Sequence, residues 1–181
     1  MIRRQTERQD IKKNPPCLPV LDFEKGGVSL LTIRDKVALG AVAGILGSIP
    51  PLALNLVLTT AGISKYYSFQ ISAGAFLEKQ LTGTPGGLIL GGMAWELSSA
   101  ILGVLIVYVI YFTGKEYWWL KGILTATAFM YVLLFGFIFD ICTEHLTPKD
   151  LGSNASLLCE NILFGVTSSF LAIRVGKEEL D

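Results

Sequence analysis

The sequence predicts an all-α, polytopic membrane protein: a four-transmembrane-helix bundle with an extra interfacial helix after the first span. Four long apolar stretches fill most of the chain beyond residue 36, at about 37–62, 87–112, 120–142 and 155–173. The composition agrees, with 51% hydrophobic and 17% charged residues where soluble domains carry about 25% charge, and the mean hydropathy is +0.54. Backbone polar groups are satisfied in lipid only by helices or closed barrels, and runs this continuous lack the alternation of barrel strands. A helix crosses the hydrocarbon core in about 20 residues, which every stretch supplies.

Residues 1–36 are polar, basic and proline-containing (Asn14-Pro15-Pro16-Cys17-Leu18-Pro19). An apolar core within the first 25 or so residues would mark a secretory signal, and this segment has none. It reads as a disordered cytoplasmic arm, with the first span as an uncleaved anchor. Pro50-Pro51 in the middle of that span removes backbone donors and crowds the preceding turn, so a kink is expected near Leu46 to Gly47. Kinked spans either fit a helix to its neighbours or open carbonyls to ions. In the connection from Ile63 to Pro85, Tyr66, Tyr67, Phe69, Ile71, Phe76 and Leu77 alternate with Ser, Gln and Lys. That pattern predicts either an amphipathic helix on the outer surface or a loop anchored by aromatic rings. Thr82-Gly83-Thr84-Pro85-Gly86-Gly87 turns into the second span. Residues 37–175 form the membrane domain and 176–181 a short cytoplasmic tail.

Lys and Arg orient the spans. Arg3, Arg4, Arg8, Lys12, Lys13, Lys25, Arg34, Lys36, Lys115, Lys121, Arg174 and Lys177 fall on one side. Only Lys65, Lys79 and Lys149 fall on the other. Both termini are therefore expected in the cytoplasm. Tyr111, Tyr117, Trp118 and Trp119 at the inner ends of spans two and three suit an aromatic belt.

Small and polar residues recur at helical spacing and mark the expected inward faces. These are Gly40, Gly44, Gly47, Pro51 and Asn55; then Gly92, Glu96, Ser99 and Gly103. In the third span they are Gly122, Ala126, Gly136 and Asp140, sharing a stripe with Phe129 and Leu133. In the fourth they are Asn161, Gly165, Ser168 and Ala172. Gly40 and Gly44 also form a GxxxG pattern that drives dimerisation in some membrane helices.

Three carboxylates, Glu96, Asp140 and Glu160, sit in or at the rim of the spans with no Lys or Arg beside them in a span. At about 1.5 Å per residue, Asn55 lies about 10 Å from the outer end of its helix, Glu96 about 14 Å, and Glu160 with Asn161 about 9 Å. The candidate polar layer therefore comprises Glu96, Asn55, Glu160, Asn161 and Asp140, all in the outer half. A charged side chain at the bilayer centre costs about 2.5–3.5 kcal/mol on insertion scales. Such acids bind a cation, sit in a wet vestibule, or stay protonated through desolvation and mutual repulsion; the structural alternative is a plug that locks helices in register by hydrogen bonds, for instance Glu96 to Asn161.

Other chemistry finds little support. Asp140, Glu144, His145 and Glu160 loosely imitate a metal-assisted hydrolase site, but no H-E-x-x-H motif or nucleophile elbow accompanies them, so no enzyme is expected. One His and three cysteines without a CxxC give no ordinary zinc site, and no cofactor is implied. Cys142 and Cys159 pair only if spans three and four form a hairpin, and two unpaired, buried thiols are expected. A formal net charge of zero supplies no basic field for nucleic acid.

The runs Gly40-Ala41-Val42-Ala43-Gly44-Ile45, Ala61-Gly62-Ile63-Ser64-Lys65, Ala73-Gly74-Ala75-Phe76 and Trp119-Leu120-Lys121-Gly122-Ile123 together resemble a family of small four-helix membrane proteins of Gram-positive, often anaerobic or spore-forming, bacteria. The resemblance spans roughly residues 35–175 and leaves out the basic arm and the loop with His145. It implies a four-helix bundle in a bacterial cytoplasmic membrane, and no activity, cofactor or site residue comes with it.

The expected partners are the lipid bilayer and either a second copy or another membrane protein. The leading functional expectation is a structural or accessory protein. The alternative is a small cation- or proton-coupled transporter or channel subunit using Glu96.

Overall fold

A computed structural model describes residues 35–138 and 150–176, and among these the regular structure is entirely helical. The elements are α1 (Lys36–Gly47), α2 (Ile49–Thr60), α3 (Ser68–Ala73), α4 (Pro85–Thr113), α5 (Trp118–Ala126), a π-helical segment (Thr127–Ile138) and α6 (Leu151–Val175). Three helical runs are long and apolar enough to cross a membrane: Lys36–Thr60, Pro85–Thr113 and Leu151–Val175. Large apolar side chains face outward along them, as at Ile89 (67% exposed), Met93 (68%) and Leu97 (64%). An outward surface this apolar belongs in lipid.

The first run breaks at Ser48, one residue past the expected kink, with Ser48 serving as C-cap of α1 and N-cap of α2. Pro51 has no N–H to offer the carbonyl of Gly47. The hydroxyl of Thr167 on α6 reaches it instead, with Oγ1 2.8 Å from the Gly47 oxygen, and shares its one proton with the carbonyls of Leu163 (2.9 Å) and Phe164 (3.1 Å) of its own helix. A carbonyl freed by proline is thus used within the protein, one of the ways membrane helices tolerate such breaks.

Small residues bring the helices together. α1 lies against α4 through Gly40, Gly44 and Gly103, where a Cβ on Gly103 would sit 2.6 Å from the Cα of Gly44. The GxxxG pair therefore serves contacts within the chain. α5 meets α6 through Gly122 and Gly165, each of which would drive a Cβ into the other's backbone. Leu39, Ala43, Leu102, Ile106, Ala126 and Phe164 are among the residues of the apolar core between these helices.

Two predicted inward faces hold. Gly40, Gly44, Gly47, Pro51 and Asn55 are all buried, as are Asn161, Gly165, Ser168 and Ala172. In the second span Ser99 and Gly103 are buried as expected, but the half before them is displaced by one residue. Its buried face runs through Gly91, Trp95, Ser99 and Gly103, which leaves Gly92 and Glu96 on the flank, partly exposed. In the third stretch Gly122 and Ala126 are buried, but Phe129 and Leu133 are 43% and 44% exposed. Beyond Ala126 the backbone is π-helical, and i→i+5 bonding changes the turn on which the 3.6-residue stripe was drawn.

The connection between α2 and α4, read as either an amphipathic helix or a loop anchored by aromatic rings, contains one short helix. That helix, α3, is six residues long and buries Ser68, Ile71 and Ala73. Gly91 lets it close on α4, since a Cβ there would strike the carbonyl of Phe69.

The turn between α4 and α5 is held by Lys121, whose Nζ donates to the carbonyls of Thr113 (3.0 Å) and Gly114 (2.8 Å) at the end of α4. Tyr111, Tyr117 and Trp119 are exposed there and Trp118 rests on Phe170. Cys159 is a free thiol, exposed rather than buried as expected. Asp140, Cys142, Glu144, His145 and the basic arm lie outside the described residues.

At the other end Asp150 caps α6. Its carboxylate accepts from the backbone N–H of Ser153 at 3.0 Å and pairs with Lys65 Nζ at 3.2 Å. The Lys65 N–H donates to Ser153 Oγ, also at 3.0 Å, so the loop after α2 is tied to the start of α6. The Ser153 backbone bond holds the Asp150 carboxyl below the usual carboxylate range; partial burial opposes it, and the Ser153 and Lys65 side chains assist. A depressed folded-state value means the stabilisation is complete above the ordinary carboxylate pKa and is lost as pH falls through the depressed one. Asp150→Asn is therefore expected to flatten the acid limb of thermal stability between about pH 5 and 2 while preserving a capping side chain. An unchanged acid limb, measured by melting in detergent, would exclude this role.

Candidate functional site

The polar interior is built around Glu160, on the second to third turn of α6. It is 1% exposed. One carboxylate oxygen accepts from Asn55 Nδ2 of α2 at 2.9 Å and from Ser156 Oγ at 2.7 Å. The other accepts from Ser68 Oγ of α3 at 2.9 Å. Asn55 then closes a ring, its Oδ1 accepting the backbone N–H of Ser68 at 2.9 Å. Three elements thus converge on one acid through neutral donors.

Such a group is costly to bury unless its lone pairs are filled, and here three donors fill them. Ser156 precedes Glu160 by four residues and so lies on the same helix face. Ser68 arrives because the connection after α2 folds into the bundle, the setting in which irregular backbone is tolerated at membrane depth.

Of the predicted layer, the structure joins Asn55 and Glu160. Asn161 is buried beside them, but its Nδ2 turns back to the carbonyl of Leu157 at 2.7 Å, so the anticipated Glu96–Asn161 bond is not made. Glu96 stands apart. Ser48 Oγ lies 3.1 and 3.3 Å from its two oxygens and 2.7 Å from the carbonyl of Ile45. One hydroxyl proton cannot serve all three acceptors, so Glu96 is far less satisfied than Glu160. Asp140 lies outside the described residues. Ser48, Ser68 and Ser156 went unrecognised in the sequence; only Ser156, at i−4 from an acid, carried a readable signal.

Two spaces adjoin these acids. One, of about 10 Å³, lies between Trp95 and Ser99 of α4, Met130, and Glu160, Asn161 and Phe164 of α6. This is about the volume of one water and excludes any organic ligand. Trp95 Nε1 is buried there without a hydrogen-bond partner among the described residues. The other is an outward-facing groove on α4 lined by Phe69, Leu88, Ile89, Gly92, Met93 and Glu96. Glu96 is its one charged residue.

Compared with protein-family models, curated proteins and solved structures, the chain has no match.

Proposed function

We propose that this chain is a small structural or accessory protein of a bacterial cytoplasmic membrane, crossing the bilayer four times and acting through partners. The observation that carries this reading is that the most deeply buried acid is satisfied by the protein itself, Glu160 by Asn55, Ser68 and Ser156, while Thr167 also reaches across to the Gly47 carbonyl that Pro51 frees. These bonds tie α2, α3 and α6 into one register. A fourth crossing is supported by nine α-helical and twelve π-helical residues in one apolar run, close to the 20 or so a bilayer needs. The excess of Lys and Arg on one side supports cytoplasmic termini. Thiol labelling of intact cells checks the topology: Cys17 is expected to be protected and a cysteine placed near Lys149 to react. Equal labelling of the two would overturn it.

A second reading, a small cation- or proton-coupled transporter or channel subunit, is favoured by Glu96 alone. This acid lies about 16 Å along α4 from Pro85, on an apolar groove, with only the shared hydroxyl of Ser48 beside it. Proteoliposomes separate the two readings. The accessory reading expects no flux of protons or common cations; flux abolished by Glu96→Gln would replace it with the second.

A further inference from the structure

We infer that the groove on α4 is a binding site for a lipophilic organic monocation, with the cationic centre at the Glu96 carboxylate and the apolar body along Leu88, Ile89 and Met93. The proposal names a ligand for the acid on which the transport reading rests, but binding requires no transport.

Charge complementarity comes first. Glu96 lies between the ends of a 29-residue apolar helix, partly exposed, with no cationic side chain within salt-bridge distance among the described residues. Ser48, its one polar neighbour, divides a single proton among three acceptors. In surroundings of low dielectric a carboxylate so poorly supplied attracts a cation strongly. An inorganic ion would need several further oxygen ligands, and the other five lining residues present only carbon, a thioether and backbone. A cation that keeps its own apolar shell needs none of these.

Shape then favours a small molecule over a partner helix. Helices associate in lipid by close backbone approach at small residues. The one small residue on this face is Gly92, and the Phe69 ring already covers it, 3.6 Å from where a Cβ would stand. A second helix is thus kept off the α4 backbone there. The same ring lines the groove that holds Glu96, adding apolar surface beside the carboxylate. The groove is open along its outer side, so a cation held there by Glu96 would keep its apolar body in contact with lipid as well as with Leu88, Ile89 and Met93.

The test is equilibrium dialysis of the full chain in nanodiscs of zwitterionic lipid, corrected against empty nanodiscs. The probe is tetraphenylphosphonium, and tetraphenylborate serves as its anionic counterpart of the same shape. Wild type is expected to bind the phosphonium saturably and the borate at least tenfold more weakly. Glu96→Gln is expected to weaken phosphonium binding at least tenfold. Truncating the exposed groove residues in an Ile89→Ala, Met93→Ala double variant, which leaves Glu96 and Ser48 in place, should do the same and decides the matter if Glu96→Gln does not fold. No saturable binding by wild type, equal binding of the borate, or undiminished binding by either folded variant would overturn the site. Phosphonium binding without any flux sustains the site and removes the transport reading. Glu96-dependent proton flux without phosphonium binding removes the site and leaves that reading standing.

Discussion

Glu160→Leu is expected to lower the stability of the bundle in detergent by about 2–5 kcal/mol. The lower figure follows from two interhelical hydrogen bonds, from Asn55 and Ser68, at about 0.6 kcal/mol each, plus one of about the same size within α6 from Ser156. The upper follows because Asn55 and Ser68 would be left buried with unpaired donors, at about 1–3 kcal/mol each. Ser156 escapes this cost by turning to its own helix carbonyl at i−4. Glu160→Gln retains an acceptor for Asn55 and Ser156, and the Ser68 hydroxyl can rotate to accept from the new amide; its cost is expected to stay near 1 kcal/mol. Both are read by thermal melting and by denaturant titration in mixed micelles. A Leu variant within about 0.5 kcal/mol of wild type would show that the acid does not lock the bundle.

The second large effect is expected at the crossing of α1 and α4. A Cβ on Gly103 would stand 2.6 Å from Gly44 Cα and 2.7 Å from Gly44 N, backbone that cannot swing aside. Gly103→Ala should cost about 1–3 kcal/mol by overpacking, and Gly103→Leu more, with the helices forced apart. Gly86, at the start of α4, has nothing within 4 Å of a built Cβ. Gly86→Ala therefore provides a control, expected within about 0.5 kcal/mol of wild type or slightly above it. Spin labels on α1 and α4 would read the separation directly. A Gly103→Leu variant with wild-type melting and spacing would contradict the close approach.

The comparison of sequence with structure turns on which residues carry a period. The face from Gly40 to Asn55 was legible because its members are small or polar against bulky neighbours. On α4 the same filter selected Glu96 for its charge and passed over Trp95, which is large but 5% exposed. In a helix apolar on every side, composition does not tell a lipid face from an inner one, and the assignment slipped by one residue. The stripe through Phe129 and Leu133 was lost for a different reason, since a π-helical turn leaves no mark on residue type. The break at Ser48 was readable from Pro50 and Pro51. Its repair by Thr167, 120 residues away, is a tertiary event with no local trace. The same holds for Ser68, which joins Glu160 from a connection without periodicity.

The distance along the chain between Asn55 and Glu160 also bears on how the protein is made. The two are 105 residues apart, so at about 5–20 residues per second the first span waits roughly 5–20 s for the acid that receives its amide. During that interval Asn55 and Ser68 can bond each other and α3 can close on α4 at Gly91, but the Asn55 amide and the Ser68 hydroxyl lack the carboxylate they donate to. Closure of the polar ring therefore waits for the synthesis of α6. A nascent chain halted before Glu160 would hold both donors in place with nothing to receive them.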